Sequence, residues 1–323
     1  MSPVSQPVRL NRSQLAVPGH SRRFIDKAAA SAADVVMLDL EDAVAIGDKE
    51  TARRTVVEAL NDIDWGGRTV SVRINALDTP FMYRDLIEVA ERGGPRLDLV
   101  MLPKVDTAAD VHVADVLLSQ IEAATGRTNR IGLELQIETA LGLQNVEAIA
   151  AASPRVESLH FGPGDYAASI GARTTSIGGA VPDYALLSDP DAGGLRSLHM
   201  ADPWHYALSR IVVAARAAGL RPVDGPYADF KDAEGLEWSA RRASALGFEG
   251  KWAIHPGQIG AINTAFGPRP EEVAQARRIL EALQAGAAAG RGAVVVDGRM
   301  VDAASVRQAQ ALVEKARRIE GRP

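Results

Sequence analysis

The chain has 323 residues, 46% of them apolar, with a formal net charge of −5 and no cysteine. This allows one large α/β domain plus a small appendage, and the missing thiols exclude a cysteine nucleophile, disulfides and thiolate metal sites. The negative balance, with no basic stripe interleaved with aromatics, argues against nucleic-acid binding, and no apolar run approaches membrane-spanning length.

Met1–Asn11 is polar and Pro-bearing, unlike a signal peptide, so a soluble cytoplasmic protein is expected. Gln14–Pro18 is a short apolar run, followed by a helix over about Ser21–Ser31. Val35–Leu40 reads as a buried strand running into Asp39, Glu41 and Asp42, and Asp48 is placed to cap the next helix. Thr69–Asn75 alternates, with Ser71, Arg73 and Asn75 on one face; Leu97–Lys104 is a further strand, followed by a helix over Ala108–Ala124. Ile131–Thr139 has a strict period of two, with Glu134, Gln136 and Glu138 on its polar face. Val156–Phe161 leads into Gly162-Pro-Gly-Asp165, and the Gly- and Asp-rich stretch Gly171–Ala201 reads mostly as loop, long enough to cover an active site. Asp202 and Pro203 start a helix that ends at Gly219. Arg221–Gly225 and Gly250–Pro256 are the last strands, separated by a helix over Asp232–Leu246.

Eight strands alternating with helices, most ending in a charged or polar residue, predict a (β/α)8 TIM barrel. A doubly wound open sheet fits less well, because no G-x-G-x-x-G follows the first strand and because Glu134 and Gln136 suit a barrel interior. The barrel domain is expected over residues 1–268 and a C-terminal helix/hairpin module over 269–323. In that module Ala285–Gly292 reads as a flexible joint, Asp297-Gly298 as a hairpin turn, and Asp302 as the cap of a final helix.

Glu138 and Asp165 end consecutive strands, so their carboxylates should meet at the barrel mouth, where oxygen ligands suit a hard cation such as Mg2+. The alternative is that each pairs with a Lys or Arg. Arg73 can hold a carboxylate or a developing enolate, or form a salt bridge to Glu41, Asp42 or Glu138. Lys104 reads as a structural ion pair rather than a Schiff-base lysine. His20, Ser21 and Lys27 lie at the start of the first helix, where an anion could bind. His255 is either a ligand contact or a satisfied structural histidine. Residue types and spacing reach as far as a metal-assisted lyase or hydrolase on a barrel.

Leu38-Asp-Leu-Glu-Asp-Ala-Val44, Val72-Arg-Ile-Asn75, Met101-Leu-Pro-Lys-Val105, Ile137-Glu-Thr-Ala140, Phe161-Gly-Pro-Gly-Asp165 and Trp252-Ala-Ile-His-Pro256 resemble the citrate lyase β-subunit-like branch of the HpcH/HpaI aldolase family. Ile74-Asn-Ala-Leu-Asp78, Thr174-Thr-Ser-Ile-Gly-Gly179, Asp202-Pro-Trp204, Pro222-Val-Asp-Gly-Pro226 and Gly298-Arg-Met-Val-Asp302 resemble the malyl-CoA lyases within it. The order of these motifs, from about Arg12 to Ile319, is more specific than any one of them.

The resemblance implies a reversible cleavage of malyl-CoA, and of the β-methylmalyl ester, to glyoxylate and acetyl-CoA or propionyl-CoA. A thioesterase on the same scaffold and a citramalyl-CoA lyase are the alternatives. It implies Mg2+ (with Mn2+ as a substitute) on Glu138 and Asp165, an enolate contact by Arg73, and Asp302 as acid/base delivered by a neighbouring subunit. Ala16, Ser21 and Lys27 fall at coenzyme A contacts, although Ala16 and Ser21 depart from the aromatic and the arginine of some relatives. Gly164, Asp165, Ile254 and His255 fall at further substrate contacts. A homo-oligomer, trimer or dimer of trimers, is implied as well.

Overall fold

The computed structural model describes residues 9–174, 176–288, 294–301 and 303–321. Asp302 lies outside the described residues. The strands are β1 Ser13–Pro18, β2 Val35–Asp39, β3 Thr69–Arg73, β4 Leu99–Leu102, β5 Gly132–Ile137, β6 Val156–Phe161, β7 Ala185–Leu187, β8 Leu198–Met200, β9 Arg221–Asp224, β10 Gly250–Ala253, β11 Val294–Val296 and β12 Arg299–Val301. The helices are α1 Arg22–Ala29, α2 Lys49–Asp62, α3 Met82–Arg92, α4 Ala108–Thr125, α5 Ala140–Gln144, α6 Val146–Ala150, α7 Pro163–Ser169, α8 His205–Ala217, α9 Ala233–Leu246, α10 Ile259–Phe266, α11 Pro270–Ala288 and α12 Ala303–Glu320.

Strands β1–β6, β9 and β10 close a barrel in the order β1-β10-β9-β6-β5-β4-β3-β2, every pairing parallel. Runs such as Val35–Leu38 and Leu99–Leu102 are buried throughout, as strands with packing on both faces require. The interior is layered. Glu134 accepts hydrogen bonds from Gln14 Nε2 at 3.0 Å and Ser71 Oγ at 2.5 Å, and lies 3.3 Å from His160 Nε2. Glu134 and Gln136 therefore find the internal partners that buried polar groups need. Met37, Met101, Val223 and Trp252 form an apolar cluster with Ala16 packed against it.

Several predicted ends move. Asp48 does not cap α2: it closes a short 3-10 turn with φ −103° and ψ −2°, not the extended geometry a cap needs, and makes no capping bond. The helix expected from Asp202 starts at His205, because Asp202 Oδ1 accepts the Trp204 N–H at 3.0 Å in a turn ahead of it. The predicted loop Gly171–Ala201 carries the antiparallel pair β7–β8. Helix α11 continues into the predicted joint as far as Ala288, since its alanines favour helix over coil.

The chain divides into two compact units between Ala265 and Phe266. In the second, α11 packs on α12, and β11 pairs antiparallel with β12. Asp297 and Gly298 both have positive φ, 49° and 76°, the conformation of a two-residue hairpin turn.

Candidate active site

The C-terminal ends of the barrel strands gather the charged residues. Asp39 ends β2 and Arg73 ends β3, in register with each other. Arg73 Nε and Nη2 donate to the two Asp39 oxygens at 2.8 and 2.7 Å, while Nη1 stands 3.0 Å from Glu41 and 3.3 Å from Asp42. The guanidinium lies over the Trp252 ring, 5.5 Å from its centroid. Burial disfavours its charge, but Asp39, then Glu41 and Asp42, reverse that and raise its pKa. Burial likewise pushes the Asp39 carboxyl up, and Arg73 with the Glu41 and Ala43 N–H groups draws it below the usual range. The salt bridge foreseen for Arg73 is present, with Asp39 as its main partner and Glu138 outside it.

Glu138 follows β5 and is 1% exposed. Its Oε1 accepts the Lys104 N–H at 2.8 Å and its Oε2 the Gln136 side-chain amide at 2.5 Å. Burial, then the charges of Glu41 and Asp165, push its pKa up to about 8, against the pull of Arg73. Asp165, in the first turn of α7, is partly exposed, and its Oδ2 lies 3.8 Å from Lys104 Nζ. Lys104 Nζ donates to Glu41 at 2.8 Å, the ion pair expected of it.

Glu138, Asp165, Arg73 and Asp39 line one cavity of about 670 Å3, together with Ala16, Gly164, Ile254, Gln136 and Trp252. Thr174, Ser176 and Ile177 from the long loop line it too. The donors fit a hard cation. Glu138 and Asp165 offer only oxygen, the charge of Asp165 is among those that raise the Glu138 pKa, and the buried Gln136 Oε1 beside Glu138 has no hydrogen-bond partner. No cluster of three or more His, Cys, Asp or Glu suited to a metal occurs among the described residues, so water and substrate oxygens would complete the shell.

The remaining predicted residues are dispersed. Ser21 precedes α1 and makes no capping bond, and Lys27 sits in the last turn of that helix. The anion site imagined at the start of α1 is thus not built with Lys27, because the helix is only Arg22–Ala29 and the lysine falls at its other end. His255 accepts the Gly257 N–H at 3.1 Å and stacks on Phe230, the satisfied reading of that residue. Sequence reasoning missed Trp252 beneath Arg73 and the bond of Gln136 to Glu138. The second had a signal, since residues two apart on a strand share a face.

Sequence and fold comparisons place the chain among known proteins. The family description HpcH/HpaI aldolase/citrate lyase matches residues 12–256. The L-malyl-CoA/beta-methylmalyl-CoA lyase of Cereibacter sphaeroides is 50% identical over 97% of this chain and 96% of its own. The malyl-CoA/beta-methylmalyl-CoA/citramalyl-CoA lyase of Chloroflexus aurantiacus is 38% identical over 97% of this chain and 90% of its own. The structure of CitE from Mycobacterium tuberculosis in complex with magnesium, acetoacetate and coenzyme A matches with a TM-score of 0.69 at 32% identity, covering 95% of this chain and 98% of that one. A closed parallel barrel with its carboxylates and arginine at the strand ends, a family match over most of its length and relatives matched nearly end to end lead to one conclusion: the chain belongs to the HpcH/HpaI aldolase/citrate lyase family.

Proposed function

We propose that the protein is a Mg2+-dependent CoA-ester lyase that cleaves (S)-malyl-CoA to acetyl-CoA and glyoxylate, and β-methylmalyl-CoA to propionyl-CoA and glyoxylate. The observation that carries this reading is the convergence of Glu138, Asp165 and Arg73 on one cavity. The names of the relatives supply the substrate class. Citramalyl-CoA is a second substrate, favoured by the name of the Chloroflexus relative.

A divalent cation on Glu138 and Asp165 would supply Lewis-acid polarisation at the α-hydroxy-acid end of the substrate. Arg73 places fixed positive charge where the thioester enolate develops, in a site preorganised by Asp39. The C–C bond to the carbinol carbon breaks, the hydroxyl passes its proton to solvent water as the aldehyde forms, and the electron pair stays on the thioester α-carbon. Asp302, outside the described residues, then protonates that carbon, and in the condensing direction it removes a methyl proton. Ala16, Gly164 and Ile254 line the substrate cavity; Ser21, Lys27 and His255 are assigned to coenzyme A and substrate contacts by resemblance. Mn2+ is expected to replace Mg2+. The C-terminal module acts as a lid on a neighbouring subunit of a cytoplasmic trimer or dimer of trimers. Light scattering would read that assembly directly, and a monomer would remove the lid from this account.

The test is incubation of the full-length protein with malyl-CoA, Mg2+ and a glyoxylate trap. Glyoxylate and acetyl-CoA in equal amounts are expected. Malate and free CoA would identify a thioesterase instead.

A further inference from the structure

Outside glycine, only Lys104 and Asp297 among the described residues have a positive φ. Asp297 is explained by its hairpin turn. Lys104, with φ 48°, is in no hairpin, and a lysine rarely adopts that conformation unless its surroundings impose it. The twist lets one residue address three carboxylates. Its N–H donates to Glu138, its ammonium donates to Glu41 at 2.8 Å, and the same ammonium stands 3.8 Å from Asp165.

The other cations of the mouth are committed elsewhere. Arg73 is taken up by Asp39, Glu41 and Asp42, and Lys49 Nζ donates to the carbonyl oxygens of Leu40 and Glu41, each at 2.7 Å. Lys104 is the ammonium that faces Asp165.

We propose that Lys104 is a resident cation of this site, a positioning residue whose ammonium balances Glu41 and Asp165 in the metal-free protein and holds down the affinity for a divalent ion. This rests on Glu138 and Asp165 being the cation ligands. A divalent ion between those two carboxylates meets the ammonium within a few ångströms, and like charges at that range oppose each other strongly at a partly buried site. The ammonium also adds positive charge for an acidic substrate. The free protein therefore holds its metal loosely, and an anionic substrate, by adding negative charge, tightens it; the coupling is reciprocal.

The test is calorimetric titration of Mg2+ into full-length wild-type protein and into Lys104→Met, Lys104→Gly, Lys104→Arg and Glu138→Gln variants, without substrate. Lys104→Gly keeps the N–H to Glu138 and suits the positive φ, so it separates the ammonium from the backbone and guards against misfolding. Lys104→Met and Lys104→Gly should both bind Mg2+ at least about fivefold tighter, and Lys104→Arg should restore the wild-type affinity. A merely structural lysine would leave affinity unchanged or weaken it. Unchanged or weaker binding in both neutral variants, with Glu138→Gln abolishing binding, overturns the role of Lys104 alone. Wild-type protein that binds no Mg2+, or Glu138→Gln that binds it normally, overturns the metal site and this inference together.

Discussion

Asp39 and Arg73 are register partners on β2 and β3, joined by two hydrogen bonds of 2.8 and 2.7 Å. The same Asp39 oxygens accept the Glu41 and Ala43 N–H groups at 2.9 and 3.1 Å. One buried carboxylate thus fixes both the plane of the guanidinium and the start of the acidic loop. A two-point guanidinium–carboxylate pair defines orientation as well as charge.

Replacing Asp39 should therefore damage more than one element. In Asp39→Ala the guanidinium keeps Glu41 and Asp42 but loses its planar anchor, leaving a buried charge poorly paired. We expect a loss of about 3 kcal/mol in urea unfolding and a drop in kcat of about a hundredfold. Unchanged kcat in the folded variant would show that the orientation of Arg73 does not matter for turnover.

What was legible in the sequence followed from backbone periodicity. The alternation of Ile131–Thr139 gave β5 and put Glu134, Gln136 and Glu138 on one face, and all three are buried in the barrel. Asp297-Gly298 gave its turn because that geometry demands residues tolerant of positive φ. What was not legible depends on contacts between distant segments. Trp252 under Arg73 and the Lys104 N–H on Glu138 join residues far apart in the sequence, and no local pattern encodes such pairs. The positive φ of Lys104 has no turn motif beside it of the kind that marks Asp297-Gly298.

Metal binding should be coupled to proton release. The Glu138 carboxyl, pushed up to about 8 by burial and by Glu41 and Asp165, is mostly protonated at neutral pH in the metal-free protein. A divalent ion binds the carboxylate, so the proton must leave. Raising the pH from 6 to 8 should strengthen Mg2+ binding progressively, with levelling above 8. Calorimetry in two buffers of different protonation enthalpy would count the released proton. Affinity that is flat between pH 6 and 8 would contradict this.

Acid should unfold the protein partly through Arg155. Its guanidinium, anchored beside β6, pairs with Asp115 and Glu122 of α4, both at 2.6 Å. Burial disfavours these carboxylates, but their bonds, to Ser153 and Arg155 for Asp115 and to Arg155 and the Ile131 N–H for Glu122, leave both pKa values lowered. A lowered folded-state pKa gives stability that is complete above the unfolded value, near 4, and is lost as the pH falls through the folded one. The contribution of this cluster, read as the difference in urea midpoint between wild type and Arg155→Ala, should be level at neutral pH and decline below about pH 4. Arg155→Ala should be less stable at pH 7 and show a shallower acid decline, because its carboxylates then titrate closer to their unfolded values.

Gly162 offers the most local test of the metal site. It follows β6 with φ −101°, a conformation open to any residue, so backbone freedom does not explain the glycine. Space does. A Cβ at this position would overlap Glu138 Oε2 and Cβ and would lie 2.9 Å from Gln136 Nε2. These are the two side chains whose hydrogen bond orients the carboxylate, and neighbouring strands leave them little room to retreat. Gly162→Ala should therefore fold, at a cost of about 1–3 kcal/mol from overpacking, with Glu138 displaced. A displaced ligand weakens the cation more than it weakens the barrel, so Mg2+ affinity should fall at least about tenfold while the circular dichroism stays native. Wild-type Mg2+ affinity in Gly162→Ala would mean that the cation does not depend on the placement of Glu138 seen here.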